Sequence, residues 1–165
     1  MSTADNDDDQ RTLTSDPFSQ RRTVIVCARH VRSAATLRRI FAERHDISIV
    51  ETRNLPAAER ELIDAPDAAL VVTVYEAWLD RLFDRLPKLF GSATSAQYPR
   101  VRCFAIVPDR LAVYRLPLRE AGVTDLIPAP QELTVLAPSI LRHFEQTPPN
   151  RLPLEDRIMA ALPWR

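Results

Sequence analysis

Glycine is scarce in this sequence, and its scarcity excludes several kinds of ligand-binding loop. Gly91 and Gly122 are the only 2 glycines among 165 residues. The phosphate-binding loops GxGxxG and GxxxxGK(S/T) both need closely spaced glycines, because only glycine lets the backbone approach a diphosphate. A GxSxG nucleophile elbow is also absent. The sequence therefore argues against a dinucleotide site, a P-loop and a serine hydrolase, and we expect no cofactor.

Cysteine and histidine are too few and too scattered for a metal or redox site. Cys27 and Cys103 lie in apolar runs without a CxxC spacing. The three histidines have no partner at metal-ligand spacing: His30, His45 and His143. His45 and His143 fall near predicted helix C-termini, where a surface histidine stabilises the helix dipole. We expect buried, reduced thiols, surface histidines and no metal.

The chain has neither an excess of charge nor a long apolar run. The 22 basic and 22 acidic residues give a formal net charge of zero, which disfavours nucleic acid as the main ligand. No apolar segment approaches the roughly 20 residues of a membrane span, and the acidic segment 1–10 is unlike a signal peptide. These features predict a cytoplasmic protein without nucleic-acid or membrane partners.

Composition divides the chain into three parts. Residues 1–20 are polar, which predicts a disordered arm, and residues 21–147 alternate apolar runs with segments of helical periodicity. Residues 148–165 form a proline-rich linker and then a short predicted amphipathic helix. Its apolar residues recur every four positions and end in an aromatic: Leu154, Ile158, Leu162 and Trp164. Such a helix docks either on its own domain or in a groove of a partner.

The central part contains five β-branched runs of the kind buried on both faces of a sheet. They lie at 23–28, 47–50, 69–74, 101–107 and 123–127. Helices are predicted at 33–45, 57–63, 76–90, 116–121 and 133–146, with a break near Pro87 or an end at Gly91, and with a kink or delayed start at Pro138. The alternation predicts an α/β fold, a doubly wound five-stranded parallel sheet with right-handed connections and helices on both faces.

One segment resembles a known family. Residues 121–130 read Ala-Gly-Val-Thr-Asp-Leu-Ile-Pro-Ala-Pro. They resemble the fifth strand of response-regulator receiver domains, in which a helix ends in Ala-Gly and a Lys-Pro pair follows the strand. Ala129 replaces that lysine, whereas Pro130 matches the proline, whose preceding peptide bond is cis in that family. The resemblance covers roughly residues 21–146. It implies the flavodoxin-like strand order 2-1-3-4-5 and a cis bond before Pro130.

The same resemblance implies that the residues of phosphotransfer are missing. The positions that correspond to the metal-binding acids, the phosphoacceptor aspartate, the hydroxyl residue and the lysine hold Ala28, Arg29, Val72, Thr73, Val107 and Ala129. The nearest acids, Asp67 and Glu76, suit a helix cap or a first turn. Because aspartyl phosphorylation needs a carboxylate nucleophile, a Mg²⁺ pocket and a cation, we expect a degenerate pseudo-receiver without catalytic residues.

Two hypotheses for the function follow. The first is a phosphorylation-independent module of bacterial-type signalling that is not an enzyme and binds another protein or a second copy of itself. Receiver relatives commonly pair through the fourth helix, fifth strand and fifth helix, where this chain would present Arg110, Tyr114, Arg115 and Arg119. The second is an enzyme or small-ligand binder at the carboxyl edge of the sheet, lined by Arg29, His30, Thr73 and Tyr75. There Arg29 and His30 would hold a loop shut, bind an anion or lie in solvent.

Overall fold

The computed structural model of the chain describes residues 21–90 and 100–147. The predicted disordered arm at 1–20 and the predicted linker and amphipathic helix at 148–165 fall outside these residues. So do the helix end predicted at Gly91 and the apolar residues Leu154, Ile158, Leu162 and Trp164.

Five parallel strands form one sheet, as the sequence predicts. They are β1 (Arg22–Cys27), β2 (Ile47–Thr52), β3 (Ala69–Thr73), β4 (Arg102–Ile106) and β5 (Val123–Ile127). Their order is β2-β1-β3-β4-β5, so the predicted flavodoxin-like arrangement is confirmed. β3 is buried at every residue, which explains why the central strands read as continuous apolar runs rather than as alternating ones.

Helices connect the strands and cover both faces of the sheet. They are α1 (Arg32–Ile40), α2 (Leu55–Asp64), α3 (Leu79–Phe90), α4 (Arg115–Glu120) and α5 (Leu133–Gln146), and 3-10 turns precede the last three at Glu76–Trp78, Asp109–Tyr114 and Pro130–Glu132. α2 begins where the Asn54 side-chain oxygen accepts a hydrogen bond from the Ala57 N–H at 2.9 Å, a standard N-cap. Within the described ranges, no helix is long and apolar enough to cross a membrane.

The sheet separates two apolar cores. Buried residues of α2, α3 and α4, such as Leu62, Leu82 and Leu118, pack on one face of the sheet. Buried residues of α1 and α5, such as Leu37 and Ile140, pack on the other face. Both faces of the central strands are therefore covered, as the three-layer arrangement requires.

Two prolines lie inside helices without interrupting them. Pro87 is within α3, which continues to Phe90 and is not broken there, contrary to that alternative of the prediction. Pro138 is within α5, which nevertheless starts at Leu133, the residue predicted. Each proline removes one helical hydrogen bond. The buried residues on either side, such as Leu86 and Leu89 in α3, hold these turns against the sheet.

Gly122 ends α4 as predicted, for two physical reasons. Its φ of +104° is a conformation that side-chain-bearing residues rarely adopt, and a Cβ there would lie 3.0 Å from the carbonyl oxygen of Phe90. Its N–H donates to the carbonyl of Arg119 at 3.0 Å. The turn thereby closes the helix and directs the chain into β5.

His143 is buried, so the prediction of a surface histidine was wrong at this position. Its Nε2 donates to the carbonyl oxygens of Asp67 at 3.0 Å and Ala68 at 3.2 Å, which leaves Nδ1 to accept from the Thr147 hydroxyl at 3.2 Å. Burial is the main cause that lowers the pKa of His143 below its usual value. Position 143 continues the buried stripe of α5 that includes Leu136 and Ile140, a signal that helical spacing contained.

Candidate functional site

The residues that follow β1 and β3 meet at the carboxyl edge of the sheet. The Arg29 N–H donates to the hydroxyl of Tyr75 at 3.1 Å. The guanidinium carbon of Arg29 lies 5.2 Å from the ring centres of both Tyr75 and Trp78. The Tyr75 and Trp78 rings meet edge to face at 4.8 Å, and the His30 ring lies 6.4 Å from that of Tyr75. We call these four residues the Arg29 cluster.

The Arg29 cluster occupies the place where a doubly wound sheet commonly binds ligands, the point at which strand order reverses. Arg29, His30 and Tyr75 were predicted to line this edge, and the fold does bring them together. Trp78 was missed, although it lies three residues after Tyr75 in a turn that carries both to one side. Because the Arg29 side chain packs on the rings of Tyr75 and Trp78, its charge is directed at the protein as well as at solvent.

Below the cluster, the strand ends are apolar. Ala28, Val72 and Val107 are each no more than 1% exposed. Thr73 is buried as well, and its hydroxyl has no hydrogen-bond partner among the described atoms. Within the described ranges, no group of three or more His, Cys, Asp or Glu side chains could hold a metal ion. The arrangement offers no carboxylate at the end of β3.

The two acids considered in the sequence lie apart from this edge or at its surface. Glu76 is exposed in the first turn of the 3-10 helix that follows β3, where a negative charge is favoured by the free N–H groups. Asp67 precedes β3, at the opposite end of the strand. Neither carboxylate lies at the carboxyl end of β3, where the resemblance to receivers places a phosphoacceptor.

The peptide bond between Ala129 and Pro130 is trans, so the predicted cis bond was wrong. The described residues contain no cis peptide bond. Ala129 is extended, with φ −148° and ψ 152°, and Pro130 is the first residue of a 3-10 helix. Proline suits that first position in the trans form, because its ring fixes φ and no N–H is needed there. The Ala129 carbonyl accepts from the Glu132 N–H at 3.0 Å, which closes the turn.

A second candidate site surrounds β5, an edge strand of the sheet. The elements on its two sides expose three large aliphatic residues: Val113 at 76%, Leu116 at 66% and Val135 at 64%. Sequence reasoning missed these residues, although Leu116 and Val135 lie outside the buried stripes of α4 and α5. We call β5 with α4, its preceding 3-10 turn and α5 the β5 face.

The four residues predicted for this interface divide into two pairs. Arg110 and Arg119 are exposed. Tyr114 instead packs on Phe83 with ring centres 6.0 Å apart. Arg115 donates to the Asp109 carboxylate at 2.9 Å and to the Val107 carbonyl at 3.4 Å, which holds α4 to the end of β4. Only the first pair is free to contact a partner without rearrangement.

β5 itself is irregular. Cys103 pairs with Val123, but the next residue, Phe104, pairs with Asp125, so Thr124 is left out of the register. A bulge of this kind twists an edge strand and discourages open-ended strand addition. A partner on the β5 face would therefore meet mainly side chains of the flanking helices.

The comparisons with known proteins identify the fold and no family. No family model matches the chain, and no curated protein matches its sequence. A crystal structure from Burkholderia pseudomallei, of a protein provisionally described as pilus assembly-related, is similar with a TM-score of 0.52 and 19% identity. The alignment covers 79% of this chain and 97% of the other. At this identity the similarity establishes a shared five-stranded α/β architecture.

Proposed function

We propose that this chain is a pseudo-receiver that works by binding a protein partner through the β5 face and needs no phosphorylation to do so. The observation that carries the proposal is the exposure of Val113, Leu116 and Val135 beside an edge strand. Single exposed aliphatic residues are common, and a contiguous group of them marks an interaction site; the proposal therefore requires one partner to cover all three around β5. Arg110 and Arg119 would supply the polar rim.

The composition of the carboxyl edge supports binding rather than catalysis. A receiver that accepts phosphate needs a carboxylate at the end of β3, where this chain has Val72 and Thr73. The exposed Arg29 side chain stacks on the Tyr75 and Trp78 rings. This stacking gives Arg29 a structural contact within the domain, and we favour the protein-binding hypothesis over the enzymatic one.

The setting we propose is bacterial-type signalling or the control of an assembly. The similar structure is of a protein described as pilus assembly-related, and the proposed setting rests on that analogy of fold. Cys27 and Cys103 are buried and free, which suits a reducing cytoplasmic compartment.

Substitution of exposed residues tests this proposal without disturbing the core. Leu116→Asp and Val113→Asp should weaken association at least about tenfold, because a carboxylate would be desolvated in the contact. Val31→Asp is the matched control, since Val31 is 63% exposed at the start of α1. Self-association is measured by sedimentation across a hundredfold concentration range, and hetero-association by recovery of a defined partner from the native host. Equal binding by Leu116→Asp, Val113→Asp and the control would reject the β5 face.

A further inference from the structure

A groove between α2 and α3 is separate from the β5 face. Its volume is about 340 Å³, and it is lined by Leu55, Pro56, Glu59, Arg81, Asp84 and Arg85. It continues into a recess at the carboxyl edge of the sheet, which shares three of these residues and adds Asn54, Trp78 and Leu82. Through Trp78, this α2–α3 groove borders the Arg29 cluster.

The recess presents an apolar surface that is fixed in place. Leu55 and Leu82 are 6% and 1% exposed and form its floor, whereas Pro56 is exposed and Trp78 is half-buried. The Trp78 indole is held by its edge-to-face contact with the Tyr75 ring. Tryptophan is enriched at binding hot spots, and a side chain already held in position loses little freedom when a ligand covers it.

The acidic residues that line the groove are already paired. Arg85 lies 3.6 Å from the Glu59 carboxylate and 4.0 Å from that of Asp84, and Lys88 also pairs with Asp84. Arg81, by contrast, is exposed, and the described residues give it no ion-pair partner. The charge left without a partner in the groove is therefore positive.

The carboxyl edge adds further positive charge at the recess. Arg29 is exposed and stacks on the Trp78 ring, which leaves the N–H groups at the edge of its guanidinium free for a carboxylate. Arg53, just before α2, is also exposed and has no ion-pair partner in the described parts of the chain. The acids of the adjacent turns, Glu76 and Asp80, line neither the groove nor the recess.

We propose that the α2–α3 groove binds an acidic segment of a partner protein. A large apolar side chain of the segment would lie between Pro56 and Trp78, and its carboxylates would face Arg81 and Arg29. A basic segment would meet like charge there, and a purely apolar one would desolvate Arg81 without pairing it. This surface goes beyond the proposed function, which concerns the β5 face, and gives the chain a second contact for a different partner.

Selection from a library of displayed random peptides tests the chemistry of the partner. The full chain is the bait, and the peptides have about 12 residues, enough to span as a helix the roughly 15 Å of α2. Peptides that also bind Pro56→Trp are discarded, because that side chain fills the groove without changing its charge and leaves the β5 face intact. The retained peptides should be acidic and carry a large apolar residue. Retention of none, or of neutral or basic peptides, would overturn the proposal.

Titration of one retained peptide tests the contribution of Arg81. In Trp164→Phe the only tryptophan is Trp78, whose fluorescence reports binding. Arg81→Glu should raise the Kd at least about tenfold, because it brings like charges together, and Arg81→Lys should bind more tightly than Arg81→Ala. Arg142→Glu, at an exposed position of α5, is the matched control, and Leu116→Asp on the β5 face should also leave the Kd unchanged. Equal affinity of Arg81→Glu and Arg142→Glu would overturn the proposal and leave the β5 face unaffected.

Discussion

The guanidinium carbon of Arg29 lies 5.2 Å from the centre of the Tyr75 ring, and the backbone N–H of the same arginine donates to the Tyr75 hydroxyl at 3.1 Å. Arg29, in the loop that follows β1, is therefore joined to Tyr75, in the loop that follows β3, by a cation–π contact and a hydrogen bond. The contact crosses the point at which strand order reverses. It fixes the loop between β1 and α1 over the end of the sheet.

Removal of the Arg29 side chain should lower the free energy of unfolding by about 1 kcal/mol, because a cation–π contact at an exposed site contributes about 0.5–1 kcal/mol. Arg29→Lys should retain part of that stability. Urea denaturation measures the difference, with Arg32→Ala as the control at an exposed position in α1. An Arg29→Ala variant as stable as the control would show that the stacked arrangement contributes nothing.

The chain should take up no phosphate from acetyl phosphate and Mg²⁺. The end of β3 carries Val72 and Thr73, and neither supplies a carboxylate nucleophile. Intact-mass measurement after incubation should show the unmodified mass. A stable adduct on any aspartate would contradict the pseudo-receiver hypothesis.

Stability should decrease as the pH falls below about 6.5. Burial lowers the pKa of His143 in the folded protein, so the unfolded chain binds a proton more readily, and protonation favours unfolding. The contribution of neutral His143 to the free energy of unfolding is fully present above the pKa of this histidine in the unfolded chain. It is lost as the pH falls through the lower pKa of His143 in the folded protein. Denaturant titrations between pH 7 and pH 5 measure the slope. His143→Gln should flatten it, and an unchanged slope would assign the pH dependence to other groups.

Gly122→Ala should destabilise the fold by about 1–3 kcal/mol, because the new Cβ would require a strained φ and would approach the Phe90 carbonyl. Thr124→Ala, in the bulge two residues later, is the control. Thermal unfolding compares the two variants. Equal melting temperatures would mean that the turn relaxes without cost.

The strands and helices were predictable because buried strands and half-buried helices leave different spacings of apolar residues in the sequence. The strand order followed from the resemblance to receiver domains, since apolar spacing carries no information about which strands are neighbours. The trans bond before Pro130 could not be predicted, since a bond before proline can adopt either isomer and the 3-10 turn that follows determines which isomer fits. The positions of the Tyr114 and Arg115 side chains could not be predicted from the sequence either. Their contacts, with Phe83 and Asp109, depend on how a short 3-10 turn directs each side chain.

The division of the apolar interior by the sheet has a consequence for how this sequence tolerates change. Leu62 and Ile140 lie on opposite faces and share no neighbour in the two cores. The decreases in the free energy of unfolding caused by truncating each residue should therefore add. A larger residue on one face should not restore the stability lost to a cavity on the other face. Substitutions can therefore accumulate in the layer of α1 and α5 independently of those in the layer of α2, α3 and α4. Each layer is constrained only by the strands that both layers contact.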